Sequence, residues 1–163
     1  MSVLNLHSRR LSANPGDVGT LLDSLSSTED RLWPHAAWPP MTFDRALQVG
    51  ARGGHEPVGY TVAEYEPGRR VRFRFHAPKG FDGYHEFRVN ESSPGATELS
   101  HLLAIDASGP ARVTWPLVFR PLHDALLEEC LDTAELAVTG SVRAPFHRTI
   151  YQRLLRRIIA IVG

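Results

Sequence analysis

Three histidines, His85, His101 and His123, hold positions that strand alternation and helical spacing aim into one apolar space. Imidazole titrates near neutral pH, so such a set suits proton transfer beside a ligand carbonyl, as in enolisation or aldol dehydration. The same residue types also fit two other roles: buried polar groups satisfied by backbone, water, each other or a bound molecule, or a three-histidine zinc set. The span from helix to sheet argues against the metal set, so no metal is expected, nor is any cofactor. His7, His35, His55, His76 and His147 fall on wet faces, in turns or in the C-terminal segment. The chain has no Gly-rich phosphate loop, no nucleophile elbow and no HExxH pair. Its one cysteine, Cys130, lies on an apolar helix face and reads as an inert buried thiol.

The strands that position these residues are read at 43–52, 57–66, 69–77, 83–91 and 96–107. Gly53-Gly54, Pro67-Gly68, Pro78-Lys79-Gly80 and Ser92 to Gly95 separate them, and such short links make an antiparallel meander. Alternation puts Val71, Phe73 and Phe75 on one face and Arg70, Arg72 and Arg74 on the other, wet face. The turn near Gly80 sets Phe73 opposite Phe87, Phe75 opposite His85 and Arg74 opposite Glu86. Pairing residue 89 with 97 puts His85 across from His101, and a shift of two residues leaves them diagonal neighbours. A two-residue turn at Pro67-Gly68 turns Tyr60, Val62 and Glu64 inward, whereas a bulge brings Tyr65 in and puts Glu64 out.

A first strand at 3–11 carries Leu4 and Leu6 on one face and Asn5 and His7 on the other. Asn14 and Pro15 start a helix that buries Val18, Leu21, Leu22 and Leu25, and Thr28 starts a second short one. A long helix at 115–137 turns Leu122, Leu126, Leu127, Cys130, Leu131 and Ala134 inward and Asp124, Glu128, Glu129, Asp132 and Glu135 outward. His123 falls inside its apolar stripe.

Equal numbers of basic and acidic residues, 18 each, give the 163-residue chain no global electrostatic pull on nucleic acid. Hydrophobic residues make up 42%, enough for a packed core. No long apolar run suggests a membrane span, and the N-terminal residues lack the order of a signal peptide, so a cytoplasmic location is expected. Residues 141–163 stand apart, with five arginines and no acid. There Ile150, Tyr151, Leu154, Leu155, Ile158, Ile159 and Val162 keep helical spacing. The chain divides into a domain at 1–140 and a basic amphipathic helix at 141–163. That helix docks on its own domain, on a second copy in a homodimer, or on a membrane surface through residues 146–162.

The element order is α+β: a curved antiparallel sheet wrapped around a long C-terminal helix, with two short helices after the first strand. Together with Tyr65-Glu-Pro-Gly-Arg-Arg-Val-Arg-Phe-Arg-Phe75, Gly83-Tyr-His-Glu-Phe-Arg-Val89, Glu98-Leu-Ser-His-Leu-Leu103 and Trp115 to Leu126, it resembles the helix-grip proteins of the SRPBCC or START-like superfamily, of polyketide cyclase/dehydrase type. The resemblance covers residues 2–138 and speaks to fold more than to reaction. It implies a deep apolar cavity between sheet and long helix, and a hydrophobic, lipid- or polyketide-like small-molecule ligand. Tyr60, Phe73, Phe75, Phe87, Leu99, Leu103, Phe119 and Leu126 would wall that cavity or form plain core. A carrier or sensor is the leading expectation. A cyclase using the three histidines as acid and base, and an interaction module acting through the basic helix, are the alternatives.

Overall fold

A computed structural model describes residues 1–162 and the side chains through residue 158. Seven strands form one antiparallel sheet: β1 (Ser2–Leu11), β2 (Thr42–Phe43), β3 (Arg52–His55), β4 (Val58–Glu66), β5 (Arg70–Ala77), β6 (Phe81–Ser93) and β7 (Ala96–Ala107). Their spatial order is β1-β7-β6-β5-β4-β3-β2, so the first strand closes on the last. Helix α1 (Pro15–Asp23) follows β1. After β7 the chain runs through α2 (Ala111–Thr114), a π-helical turn (Trp115–Phe119) and α3 (Arg120–Thr139), and α4 (Ile150–Val162) ends it. Among the described residues no helix is long and apolar enough to cross a membrane.

The α+β helix-grip architecture is as expected, with several local departures. No helix starts at Thr28. Asp30 Oδ1 instead accepts from the backbone N–H of Leu32 and Trp33, both at 2.9 Å, and this side-chain bonding competes with a helical turn. The strand expected at 43–52 is two short ones, because Asp44 accepts from Arg52 N–H and closes a loop between them. The long helix starts earlier than expected, at Ala111. Pro116 and Pro121 each remove an amide donor, and the helix widens into the π turn between them.

Two registers also differ. Phe73 pairs with His85 and Val71 with Phe87, so Arg72, not Arg74, opposes Glu86. Residue 89 pairs with 99, which puts His85 opposite Leu103 and His101 opposite Phe87. The reason is strand length: β6 runs from Phe81 to Ser93, beyond the expected 83–91, and an irregularity beside the β6–β7 turn shifts the pairing. Between Val62 and Glu64 a bulge puts Glu64 outside against Arg70 and Arg72. Tyr65 turns toward α1, and its hydroxyl donates to Asp23 at 2.8 Å.

Four acids of α3 do not form the solvated outer face expected of them. They clasp the inner face of edge strand β1: Asp124 and Glu128 hold His7, while Glu128, Asp132 and Glu135 hold Arg9. Leu4 and Leu6 therefore point outward, 75% and 64% exposed. Helix α1 lies so close to the β4–β5 turn that a Cβ on Gly19 would sit 2.6 Å from the Gly68 carbonyl oxygen. Val18, Leu21, Leu22 and Leu25 join the core with the apolar face of α3, including Cys130.

Candidate functional site

The sheet and α3 bring His85, His101 and His123 together. His85 comes from β6 and His101 from β7, on the same face of adjacent strands, and His123 comes from the first turn of α3. His85 Nδ1 lies 3.0 Å from His101 Nε2. The His101 and His123 ring centres are 5.1 Å apart. His85 sits against Tyr60, Phe73 and Phe75, with ring centres 4.7 to 4.9 Å away. His101 meets the edge of Phe87, and His123 faces Trp115.

These rings lie on the seam between two apolar clusters. Tyr60, Phe73, Phe87, Leu99 and Leu126 belong to the larger one. Leu103 belongs to the smaller one, built on Phe81, Ile105 and Trp115. Phe119 packs against the smaller cluster, and Phe75 packs against both. All eight residues expected as wall are thus in the grip, and six of them are buried. Tyr60, Phe73, Phe75 and Phe87 pack directly on His85 and His101, in the space where the resemblance implies a deep cavity. Two hollows lie elsewhere. A solvent-open groove of about 560 Å³ runs along Pro39, Arg52, Pro57 and His76, and one of about 210 Å³ lies on the outer sheet face by Leu6, Tyr84 and Leu102. Neither is lined by the three histidines.

Within this packing, several polar atoms are sealed from solvent with no hydrogen-bond partner. They include the Tyr60 hydroxyl, His85 Nε2, His101 Nδ1 and both ring nitrogens of His123. Burial penalises the charged imidazolium. It lowers His123 to about 3 and drives His85 and His101 well below the ordinary value. All three rings are neutral at pH 7, each able to donate one hydrogen bond and accept one.

Two histidines expected outside the apolar space, on wet faces or in turns, extend the row. His55 on β3 is 5.0 Å from Trp33 and 6.0 Å from Tyr60, centre to centre, and burial lowers it to about 4. His7 on β1 is 5.9 Å from His123. Burial opposes charge on His7, but hydrogen bonds to Asp124 and Glu128, and attraction to both, outweigh it and raise the imidazole above its ordinary value. A continuous file of rings therefore crosses the inner sheet face: His55, Tyr60, His85, His101, His123 and His7. The alternation of β1 carried a signal for His7, which shares a face with Arg9 opposite four carboxylates of α3. His55 had no such signal, because its strand contains two glycines and is too short to show a period.

His7, His123 and Asp124 also offer ligand atoms that all lie within 4.8 Å of one another, a grouping that could hold a metal ion. His7 already bridges two carboxylates there.

No model of a known protein family matches the chain, and no curated protein matches it. Solved structures do. Truncated norcoclaurine synthase from Thalictrum flavum is similar with a TM-score of 0.65 at 12% identity, over 87% of this chain and 96% of that one. CalU16 from Micromonospora echinospora is similar with a TM-score of 0.59 at 17% identity, over 100% of this chain and 98% of that one. Norcoclaurine synthase is also known in complex with dopamine and hydroxybenzaldehyde, and that structure is similar with a TM-score of 0.62 at 12% identity, over 83% of this chain and 85% of that one. At these identities the likeness is one of fold. The chain shares the helix-grip fold of these proteins.

Proposed function

We propose that this protein binds a hydrophobic small molecule, lipid- or polyketide-like and bearing carbonyl or hydroxyl oxygen, inside the helix grip, as a carrier or sensor. The observation that carries this reading is the set of sealed, unpaired polar atoms on Tyr60, His85, His101 and His123 within an otherwise apolar interior. Each unpaired buried group costs about 1–3 kcal/mol. Oxygen atoms of a bound ligand would supply the missing partners, and its apolar body would sit between the two clusters. Entry requires the clusters to part. The π turn at Trp115–Phe119 bounds the smaller cluster, and such turns occur often at functional sites.

The test is native mass spectrometry of freshly purified protein, with organic extraction of the same sample. A co-purifying organic mass, lost from the Tyr60→Phe, His85→Leu variant, is the expected result. A protein that arrives ligand-free and takes up no lipid or aromatic ketone from an added panel overturns the reading. So does a chelator-removable adduct as the only bound species.

The 3.0 Å contact between His85 and His101 favours a second reading, a polyketide aromatase/cyclase. One neutral imidazole takes a proton α to a ligand carbonyl. The imidazolium so formed hands that proton to the departing hydroxyl, which leaves as water as the carbon–carbon double bond forms. Substituting His85 or His101 singly would then lower turnover by about 10²–10⁴ while leaving affinity nearly intact. In a carrier the same changes alter affinity alone.

A further inference from the structure

Helix α4 is amphipathic, and it docks by its polar side. Gln152 is buried, and its side-chain amide donates to the Pro121 carbonyl at 3.0 Å. One turn before it, Arg148 pairs with Glu129 of α3. One turn after it, the Arg156 guanidinium stacks 4.7 Å above Trp38 and donates to the Ala37 carbonyl. Positions 148, 152 and 156 thus hold the helix on the body with hydrogen bonds and charge.

Four apolar residues are left outside, while Leu155 is half-buried. Ile150 is 78% exposed, Leu154 53%, Ile158 50% and Tyr151 47%. The Tyr151 hydroxyl donates to the Leu117 carbonyl, which joins this stripe to two more exposed aliphatic residues, Leu117 and Val113. Ile159 and Val162, which the spacing adds to the stripe, lie outside the described side chains. Arg153 and Arg157 are exposed beside it.

We propose that this face docks on an anionic lipid surface, with the stripe sunk between acyl chains and Arg153 and Arg157 among headgroup phosphates. Charge selects that occupant. The segment 141–163 is wholly cationic among its charged residues. The acids of α3, the helix it packs against, are already engaged inside the chain: Asp124 and Glu128 by β1, Asp132 by Arg9, Glu135 by Arg9 and Arg143, and Glu129 by Arg148. A second copy meeting this face symmetrically would set Arg153 and Arg157 near their own counterparts. A bilayer of anionic lipid supplies both the apolar depth and the negative charge that a basic amphipathic helix needs.

The test uses the full chain and sedimenting vesicles of phosphatidylcholine, alone or mixed three to one with phosphatidylglycerol. Binding to the mixed vesicles, weakened by added salt and at least tenfold weaker on phosphatidylcholine alone, is expected. Leu154→Asp with Ile158→Asp should lower partitioning by more than tenfold, and Arg153→Glu with Arg157→Glu should do the same on mixed vesicles only. Circular dichroism and melting of each variant separate lost binding from lost folding. Equal sedimentation of wild type and folded variants overturns the proposal. Light scattering that shows a dimer abolished by Leu154→Asp, with no vesicle binding, assigns the face to a second copy and overturns it too.

Discussion

His85 and His101 touch through Nδ1 and Nε2 at 3.0 Å although neither is the other's cross-strand partner. His85 is paired with Leu103 and His101 with Phe87, so the two rings meet on the diagonal of the β6–β7 ladder. Diagonal neighbours are farther apart at Cβ than direct partners, and only long or planar side chains bridge them. The contact makes the pair one unit. It has one shared hydrogen bond, and the outer nitrogen of each ring is free for a ligand.

The buried histidines make folding stability fall in acid. His55 and His123 are held near 4 and 3, and His85 and His101 well below 6.5, all by burial. The unfolded chain takes up their protons as pH falls through about 6.5, whereas the folded chain does not. Their contribution is therefore complete above that pH and is lost below it, at about 1.4 kcal/mol per pH unit for each group. His7 has the opposite sign. Its raised value stabilises the fold below about 6.5, and that share is lost as pH rises through the folded value. Four groups outweigh one, so the melting temperature should drop steeply between about pH 7 and about pH 5. A flat profile over that range would refute the burial of these rings.

Replacing His85 and His101 together by leucine should separate stability from binding. The double change removes two buried polar rings and leaves neither partner stranded, which is neutral to stabilising at pH 7. Denaturant midpoints should hold or rise, the acid-side loss should shrink, and the co-purifying organic ligand should disappear. Retention of the ligand by a folded double variant would show that the pair does not hold it.

Glu86 is only 2% exposed, and its carboxylate accepts from Arg72 Nε and Arg88 Nε, both at 2.7 Å. Its two partners reach solvent, and Arg72 also pairs with Glu64. The two ends of this bridge should respond unequally. Arg72→Met leaves a buried carboxylate with one partner and should cost about 1–3 kcal/mol in denaturant titration. Glu86→Leu frees two arginines that can rehydrate and should cost less. The reverse order would place the burden of the bridge on the arginines.

The apolar periodicities were legible in the sequence because they need no partner to be read. Val18, Leu21 and Leu22 fall on one face of α1; Leu126, Cys130 and Ala134 on one face of α3; Val71 and Phe73 on one face of β5. His85 and His101 were legible for the same reason, since period two sends both inward whatever the register. The hairpin registers were not. Each depends on where a bulge falls, and alternation survives any even shift.

Polar faces were the least legible. Acids on one side of α3 look like a solvated face until β1 supplies His7 and Arg9 to neutralise them. Burying Arg9 and His7 beside those acids in turn sends Leu4 and Leu6 to solvent. The same holds for α4, where the sequence showed an amphipathic helix but not which side would dock. What the sequence determined by itself was local: element types, apolar faces, the inward aim of three histidines and a cationic C-terminal segment. The tertiary structure decided which charges neutralise each other, which rings touch and which apolar residues stay outside. Those outcomes depend on pairings between residues from different elements, His7 with Glu128 and Arg9 with Asp132 among them, which no local period encodes.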